Sequence, residues 1–248
     1  MSAPLLRAEN LQVAFDGVKA ADGVNLDINE GEFVAIIGPN GAGKTTFLNL
    51  CTGYIRPVGG DVYLDGKAIT RLSPRAIARR GIARAFQIPQ LFTDQRVIDN
   101  IMLAIAARSG LWSALRPLDR ADWRNEAMQL LEMFNLAGCA NNTALTLPEG
   151  RRKLIDIAVA MALKPRLVLL DEPTSGVSAI ERFALMEILM NALREAKVTA
   201  LFVEHDMDVV ERYADRVVVW NRGHVMAEGT PQEVLNNPEV IENVVGVA

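Results

Sequence analysis

The sequence predicts an α/β chain with a parallel sheet core, an N-terminal antiparallel β layer and an inserted α-helical subdomain. Three observations carry this. Val24, Leu26 and Ile28 alternate with Asn25, Asp27 and Asn29 ahead of the turn Glu30-Gly31, the period-two pattern of a strand with one wet face. "FVAIIGPNGAGKTTFLNL" reads as a wholly apolar strand, Phe33 to Ile37, then a glycine-rich loop and a helix, which is a βα unit of a parallel sheet. From about Asp94 to Gly138 the pattern is largely helical.

The elements follow in order. The helix after the glycine-rich loop is stopped by Gly53, and Asp65-Gly66 makes a hairpin turn. Ser73-Pro74 through Gly81 is a short helix with serine at the N-cap, proline at N1 and a terminating glycine. After Gly150 come a helix, the strand Leu167 to Leu170, a second helix, the strand Thr199 to Val203 and a hairpin around Asn221-Arg222-Gly223. Thr230-Pro231-Gln232-Glu233 is a capping box that opens a final helix.

With 248 residues the chain can bury one sizeable core, and a tandem pair of such domains is excluded. The net charge of −4 gives no global field toward nucleic acid, and the arginines between Arg71 and Arg124 read as a solvated face. Cys51 and Cys139 have neither disulfide nor metal spacing, which fits a reducing compartment such as the cytosol. The apolar runs "LIDIAVAMAL" and "RLVLL" fall short of the roughly 20 residues a membrane span needs. No signal-peptide pattern opens the chain, so membrane contact is expected only through a partner.

Gly38-Pro39-Asn40-Gly41-Ala42-Gly43-Lys44-Thr45 matches GxxxxGK[ST]. In such a loop, backbone N–H groups and the helix N-terminus surround phosphate oxygens, Lys44 reaches the terminal phosphates and the Thr45 hydroxyl holds Mg²⁺; Thr46 follows in the first turn. "RLVLLDEPTSG" supplies the other half. A buried strand ending in Asp171 places that carboxylate opposite the phosphate loop, where it can hold Mg²⁺ through water, and Glu172 is the candidate to polarise the attacking water.

On these residues the chain resembles the ABC transporter ATPase family over essentially its whole length. The resemblance implies a P-loop NTPase fold with a RecA-like parallel core. Residues 1–93 and 151–248 would form the core and β layer of a single domain, and about 94–150 the helical subdomain and capping loop. It implies that Phe15 stacks on adenine of ATP, although a strand phenylalanine is more often a core residue. It implies that Gln87, in "ARAFQIPQLF", senses Mg²⁺ and the water. His205, 33 residues after Glu172, matches the histidine that contacts the γ-phosphate. Ser175-Gly176-Val177-Ser178 stands where the family meets its partner subunit, in place of the common Ser-Ala-Leu-Asp; His224 reads as a hairpin residue only.

"GIARAFQIPQLF", "VIDNIMLA", "VEHDMDVV" and "GTPQEVLNNPEVIENVVG" look like the ATP-binding subunits of importers for branched-chain and other hydrophobic amino acids, with urea and amide importers close by. This implies two ATPases, two membrane-spanning permease subunits and an extracytoplasmic substrate-binding protein, with the ATPase on the cytoplasmic face of the inner membrane. Trp112 and Trp123, in the helical insert, would either face the membrane subunits or cap a local core.

"LPEGR" falls where the family writes LSGGQ, the loop that caps the γ-phosphate held by the other chain of a head-to-tail dimer. Gly150 is retained, Pro148 removes a hydroxyl donor, and Glu149 brings a negative charge that Arg151 and Arg152 can offset. Pro148 at N1 and Glu149 in the first turn are also favourable helix-start chemistry. One expectation is a heterodimer with a paralogous ATPase carrying an ordinary capping loop; the other is a homodimer. A lipid or lipopolysaccharide exporter ATPase and a non-transport ABC ATPase are the alternatives. Neither long coiled-coil insertions nor a second ATPase domain is present, and no Asn-Lys-x-Asp guanine reader is found.

Overall fold

The computed structural model describes residues 3–110 and 120–245, and Trp112 lies outside them. β1 (Leu6–Phe15) turns through Asp16 and Gly17, at φ 49° and 84°, into β2 (Val18–Ile28), the backbone that a two-residue hairpin needs. Then come β3 (Phe33–Ile37), α1 (Lys44–Cys51), β4 (Gly59–Leu64), β5 (Lys67–Ala68), α2 (Pro74–Ala78), β6 (Ile82–Ala85), α3 (Val97–Arg108) and α4 (Ala121–Met133). The remainder is α5 (Glu149–Met161), β7 (Leu167–Asp171), α6 (Ala179–Glu195), β8 (Thr199–Val203), α7 (Met207–Tyr213), β9 (Arg216–Asn221), β10 (His224–Gly229), α8 (Pro231–Leu235) and α9 (Pro238–Val240).

Two sheets result. The antiparallel layer has the order β2-β1-β4-β5, and the second sheet runs β10-β9-β3-β8-β7-β6, parallel except for β10. The strand pleat splits this second sheet between two cores. Val34 and Ile36 of β3, Leu167 and Leu169 of β7, Leu201 and Val203 of β8, and Val218 and Trp220 of β9 face α1 and the β layer. Phe33, Ala35, Ile37, Val168, Leu170, Ala200, Phe202, Val217 and Val219 face α3 to α7. Both sides being covered explains why these strands read as continuous apolar runs.

Several expectations need correction. Arg84 lies inside the supposed solvated arginine face, yet its side chain is 5% exposed, because β6 carries it onto the Asp171 carboxylate. β6 has no counterpart in the sequence pattern, since four residues with an arginine among them give no strand signal. α2 ends at Ala78, short of Gly81. The capping box is present at Thr230 and Glu233, but α9 follows the helix it opens. Trp123 is buried in the helical core, with the Arg120 guanidinium 4.8 Å from its ring, so it caps that core.

Arg108 ties α3 to α4 by paired bonds to Glu126 at 2.9 and 2.8 Å, and donates to the Ala162 carbonyl beyond α5 at 2.6 Å. The Arg108 guanidinium holds the Glu126 carboxyl below the usual carboxylate range; burial opposes it and Lys164 helps. A lowered folded pKa means that the stabilisation is present above the unfolded value of about 4.3 and disappears as pH falls through the folded value. Glu126→Gln is therefore expected to cost about 1 kcal/mol at pH 7, about 2–4 °C in Tm. Thermal melts from pH 7 to pH 3 should show the wild-type and variant curves converging at the acid end.

Candidate nucleotide site

β3 delivers the chain into the glycine-rich loop, and α1 begins at Lys44. Gly43 enters that helix at φ 110°, and a Cβ there would collide with the Ala20 carbonyl and approach the Trp220 indole nitrogen to 3.0 Å. Only glycine lets the loop close against β2 and β9. Lys44 folds back, donating to the carbonyls of Gly38 at 2.6 Å and Pro39 at 2.9 Å. Burial pushes its ammonium below the usual range, while the Glu172 and Asp171 carboxylates pull it back up.

Beside the loop is a cleft of about 280 Å³. Residues 40–46 form one wall, including Asn40, Gly41, Ala42, Gly43, Lys44, Thr45 and Thr46, and Phe15 and Val18 close one end. Phe15 is 45% exposed because it is the last residue of β1, at the hairpin tip; the core reading of this residue does not hold. Its ring is free to take a flat aromatic partner. Glu172 also borders the cleft.

The Thr45 hydroxyl lies 3.2 Å from Asp171 Oδ1 at the end of β7. A hydroxyl and a carboxylate converging beside a phosphate loop form the hard oxygen donor set that Mg²⁺ takes. Arg84 Nη2 occupies the other oxygen, Oδ2, at 2.6 Å, with both side chains buried.

Glu172, one residue past β7, sits at φ 51°, in the left-handed region. Its Oε2 accepts from Gln87 Nε2 at 2.7 Å and its Oε1 lies 2.9 Å from His205 Nε2. A carboxylate only accepts, so that ring nitrogen carries the proton. Two loops, one after β6 and one after β8, thus aim side chains at one carboxylate. Asp156 of α5 holds the first loop by accepting from Phe86 N at 3.1 Å and Gln90 N at 2.9 Å. Buried Glu204 holds the second, accepting from Thr174 N at 3.0 Å, Thr174 Oγ1 at 2.9 Å and His205 N at 3.2 Å. Burial raises the pKa of both Asp156 and Glu204.

The residues of the capping segment stand apart from this cleft. Pro148 is the N-cap of α5 and Glu149 its first residue, one position later than expected for the proline. Pro148, Glu149 and Arg151 are exposed and Gly150 is half-buried. The Glu149 carboxylate packs on Gly176, where a Cβ would meet Oε1 at 2.5 Å. Four residues on, Lys153 is buried and donates to the Glu172 carbonyl at 2.9 Å. Ser178 caps α6. His224 is an exposed hairpin residue, 3.5 Å from Asp22.

Sequence reasoning missed Arg84, Lys153 and Glu204. For Lys153 a signal existed, since it lies one helical turn from Glu149 on the same face. Arg84 and Glu204 gave none.

A phosphate loop backed by an Asp-Glu strand end and flanked by a glutamine and a histidine defines a class of nucleotide-hydrolysing cassette. The chain belongs to the ABC transporter family, whose model matches residues 21–175. A second model, of the branched-chain amino acid ATP-binding cassette transporter, matches residues 224–243. The chain is 39% identical to the high-affinity branched-chain amino acid transport ATP-binding protein BraF of Pseudomonas aeruginosa, with all of both chains covered. It is 38% identical to LivG of Salmonella typhimurium, named for the same transport, again over all of both chains. Among solved structures it resembles an ABC transporter cassette in its ADP conformation, with a TM-score of 0.86 and 32% identity over 99% of this chain and 100% of that one. It also resembles a dimeric post-hydrolysis cassette bound to ADP and phosphate, with a TM-score of 0.77 and 27% identity over 91% and 98%.

Proposed function

We propose that this chain binds and hydrolyses ATP to power an importer of branched-chain or other hydrophobic amino acids, or related small amides. The observation that carries the hydrolytic part is the Glu172 carboxylate, fixed between Gln87 and His205 at the edge of the phosphate cleft. The cargo assignment is supported by the relatives' names and by the tail that matches the branched-chain model.

In this reading the N–H groups of residues 40–46 and the Lys44 ammonium bind the phosphates, and Phe15 stacks on the adenine. Thr45, Asp171 and Gln87 would hold Mg²⁺, which when bound offsets charge on the terminal phosphates. Glu172 orients the attacking water and accepts its proton as the γ-phosphorus–oxygen bond to ADP breaks. His205, whose Nε2–H is held by Glu172 without nucleotide, would turn that donor toward the γ-phosphate when ATP is bound. ADP and inorganic phosphate leave.

Among the described residues no helix is long and apolar enough to cross a membrane. In this reading membrane-spanning permease subunits hold the chain at the cytoplasmic face of the inner membrane, served by an extracytoplasmic substrate-binding protein, as the relatives' names support. Ile88 and Phe92, 74% and 63% exposed beside Gln87, suit such a contact.

The second ATPase of the complex would be a paralogue with an ordinary capping loop, rather than a second copy of this chain. Pro148 offers a phosphate neither a hydroxyl nor an N–H, and the Glu149 carboxylate is exposed. Steady-state MgATP hydrolysis by the purified chain across protein concentration tests the assignment. Binding with slow or no turnover is expected, and Pro148→Ser with Glu149→Gly in the assembled complex should raise turnover about tenfold, the worth of one charge-assisted hydrogen bond. Concentration-dependent activity of the unmodified chain alone would overturn the paralogue requirement, and failure to bind nucleotide would overturn the ATPase reading.

A further inference from the structure

Arg84 touches the Asp171 carboxylate, which stands where the cation would bind, and Asn49 of the helix that carries Thr45. Its Nη2 holds Asp171 Oδ2 at 2.6 Å, and its Nη1 holds Asn49 Oδ1 at 2.5 Å. Asn49 lies four residues after Thr45 on α1, so one guanidinium grips β7 at its carboxylate and α1 one turn below its hydroxyl. The plane is set by Phe86, whose ring centroid is 4.8 Å from the guanidinium carbon, and Phe86 packs edge-on against Tyr54. The side chain is 5% exposed, and its Nε is buried with no hydrogen-bond partner. A buried cation with an unsatisfied nitrogen is costly, so simple stability does not explain it.

A carboxylate has two equivalent oxygens and can turn about its last bond. With Oδ2 held by Arg84, Oδ1 is the oxygen left to face Thr45. We propose that Arg84 is a positioning residue for the divalent cation of the nucleotide site: its fork fixes Asp171 and the Thr45 turn of α1 in the relative placement that a small octahedral cation demands. This rests on the reading that Thr45 and Asp171 hold that cation. Lysine cannot replace the fork, because a single ammonium satisfies Asp171 or Asn49 but does not lock the two together.

Charge alone predicts the opposite effect. A cation beside the site repels Mg²⁺, so removing Arg84 should tighten metal binding if the residue only adds charge.

The test uses Mn²⁺ as the probe on the full chain with saturating ADP, reading the EPR spectrum of the immobilised ion, so no turnover is involved. Arg84→Lys should raise the half-saturating Mn²⁺ concentration about tenfold, the size of one lost charge-assisted hydrogen bond. Asn49→Ala, which leaves the ion pair intact, should raise it about threefold, as a neutral acceptor is worth less. Affinity for a fluorescent ADP analogue in EDTA should change less than about twofold in both, which a general loss of structure would not spare. Unchanged or tighter Mn²⁺ binding in folded Arg84→Lys overturns the proposal. If Arg84→Lys does not fold, unchanged Mn²⁺ binding in Asn49→Ala overturns it. Absence of ADP binding by the unmodified chain, with or without metal, would instead sink the nucleotide reading beneath it.

Discussion

Glu172→Gln is expected to lower ATP turnover in the assembled complex by about 10²–10⁴-fold, the usual worth of a positioned general base. The amide keeps the shape of the side chain, and its oxygen still accepts from Gln87 Nε2 or faces His205 Nε2. It cannot take the proton from water. Because the change also removes one negative charge from the border of the phosphate cleft, nucleotide affinity should stay level or rise. Phosphate release and fluorescent-nucleotide titration on the same preparation measure the two quantities separately. A variant that retains more than a tenth of the turnover would remove Glu172 from the chemistry and leave it as a strand-end carboxylate.

Lys44→Ala should reduce nucleotide affinity by roughly ten- to a hundredfold, since a hydrogen bond to a charged group is worth roughly 1.5–3 kcal/mol. Its effect on folding should be small. In the structure the ammonium is desolvated, and what it gains from the Gly38 and Pro39 carbonyls is set against that burial. Deleting it removes both terms, so the melting temperature without nucleotide should hold within about 2 °C, under 1 kcal/mol for a chain of this length. The distinguishing observation is the stabilisation by added ATP: several degrees for the unmodified chain and little for the variant. Equal stabilisation of both would show that Lys44 does not reach the phosphates.

Much of this architecture was legible because its signals are local and redundant. β3, β7 and β8 are continuous apolar runs, and Asp65-Gly66 adopts the double positive φ that its residues favour. Pro148 is the N-cap where the sequence suggests N1, because a helix start is defined by backbone angles that a proline satisfies at either place. Phe15 is not legible in this way, because strand position alone does not say whether a ring ends at a hairpin tip. Arg84 was beyond reach altogether. Its burial depends on Asp171 and Asn49, 87 and 35 residues away in sequence, and the surrounding arginines are exposed, so the composition of its own segment pointed the wrong way.

The pleat of the six-stranded sheet also governs how damage spreads. Val34 and Ala35 are adjacent in sequence, yet one packs toward α1 and the β layer and the other toward α5 and α6. The sheet acts as a bulkhead between two separately filled compartments. A void opened on one side loses contacts there while the facing side chains across the wall keep theirs. The phosphate loop hangs from the rim of that wall, at the end of β3, so the packing on both of its sides bears on where the loop sits.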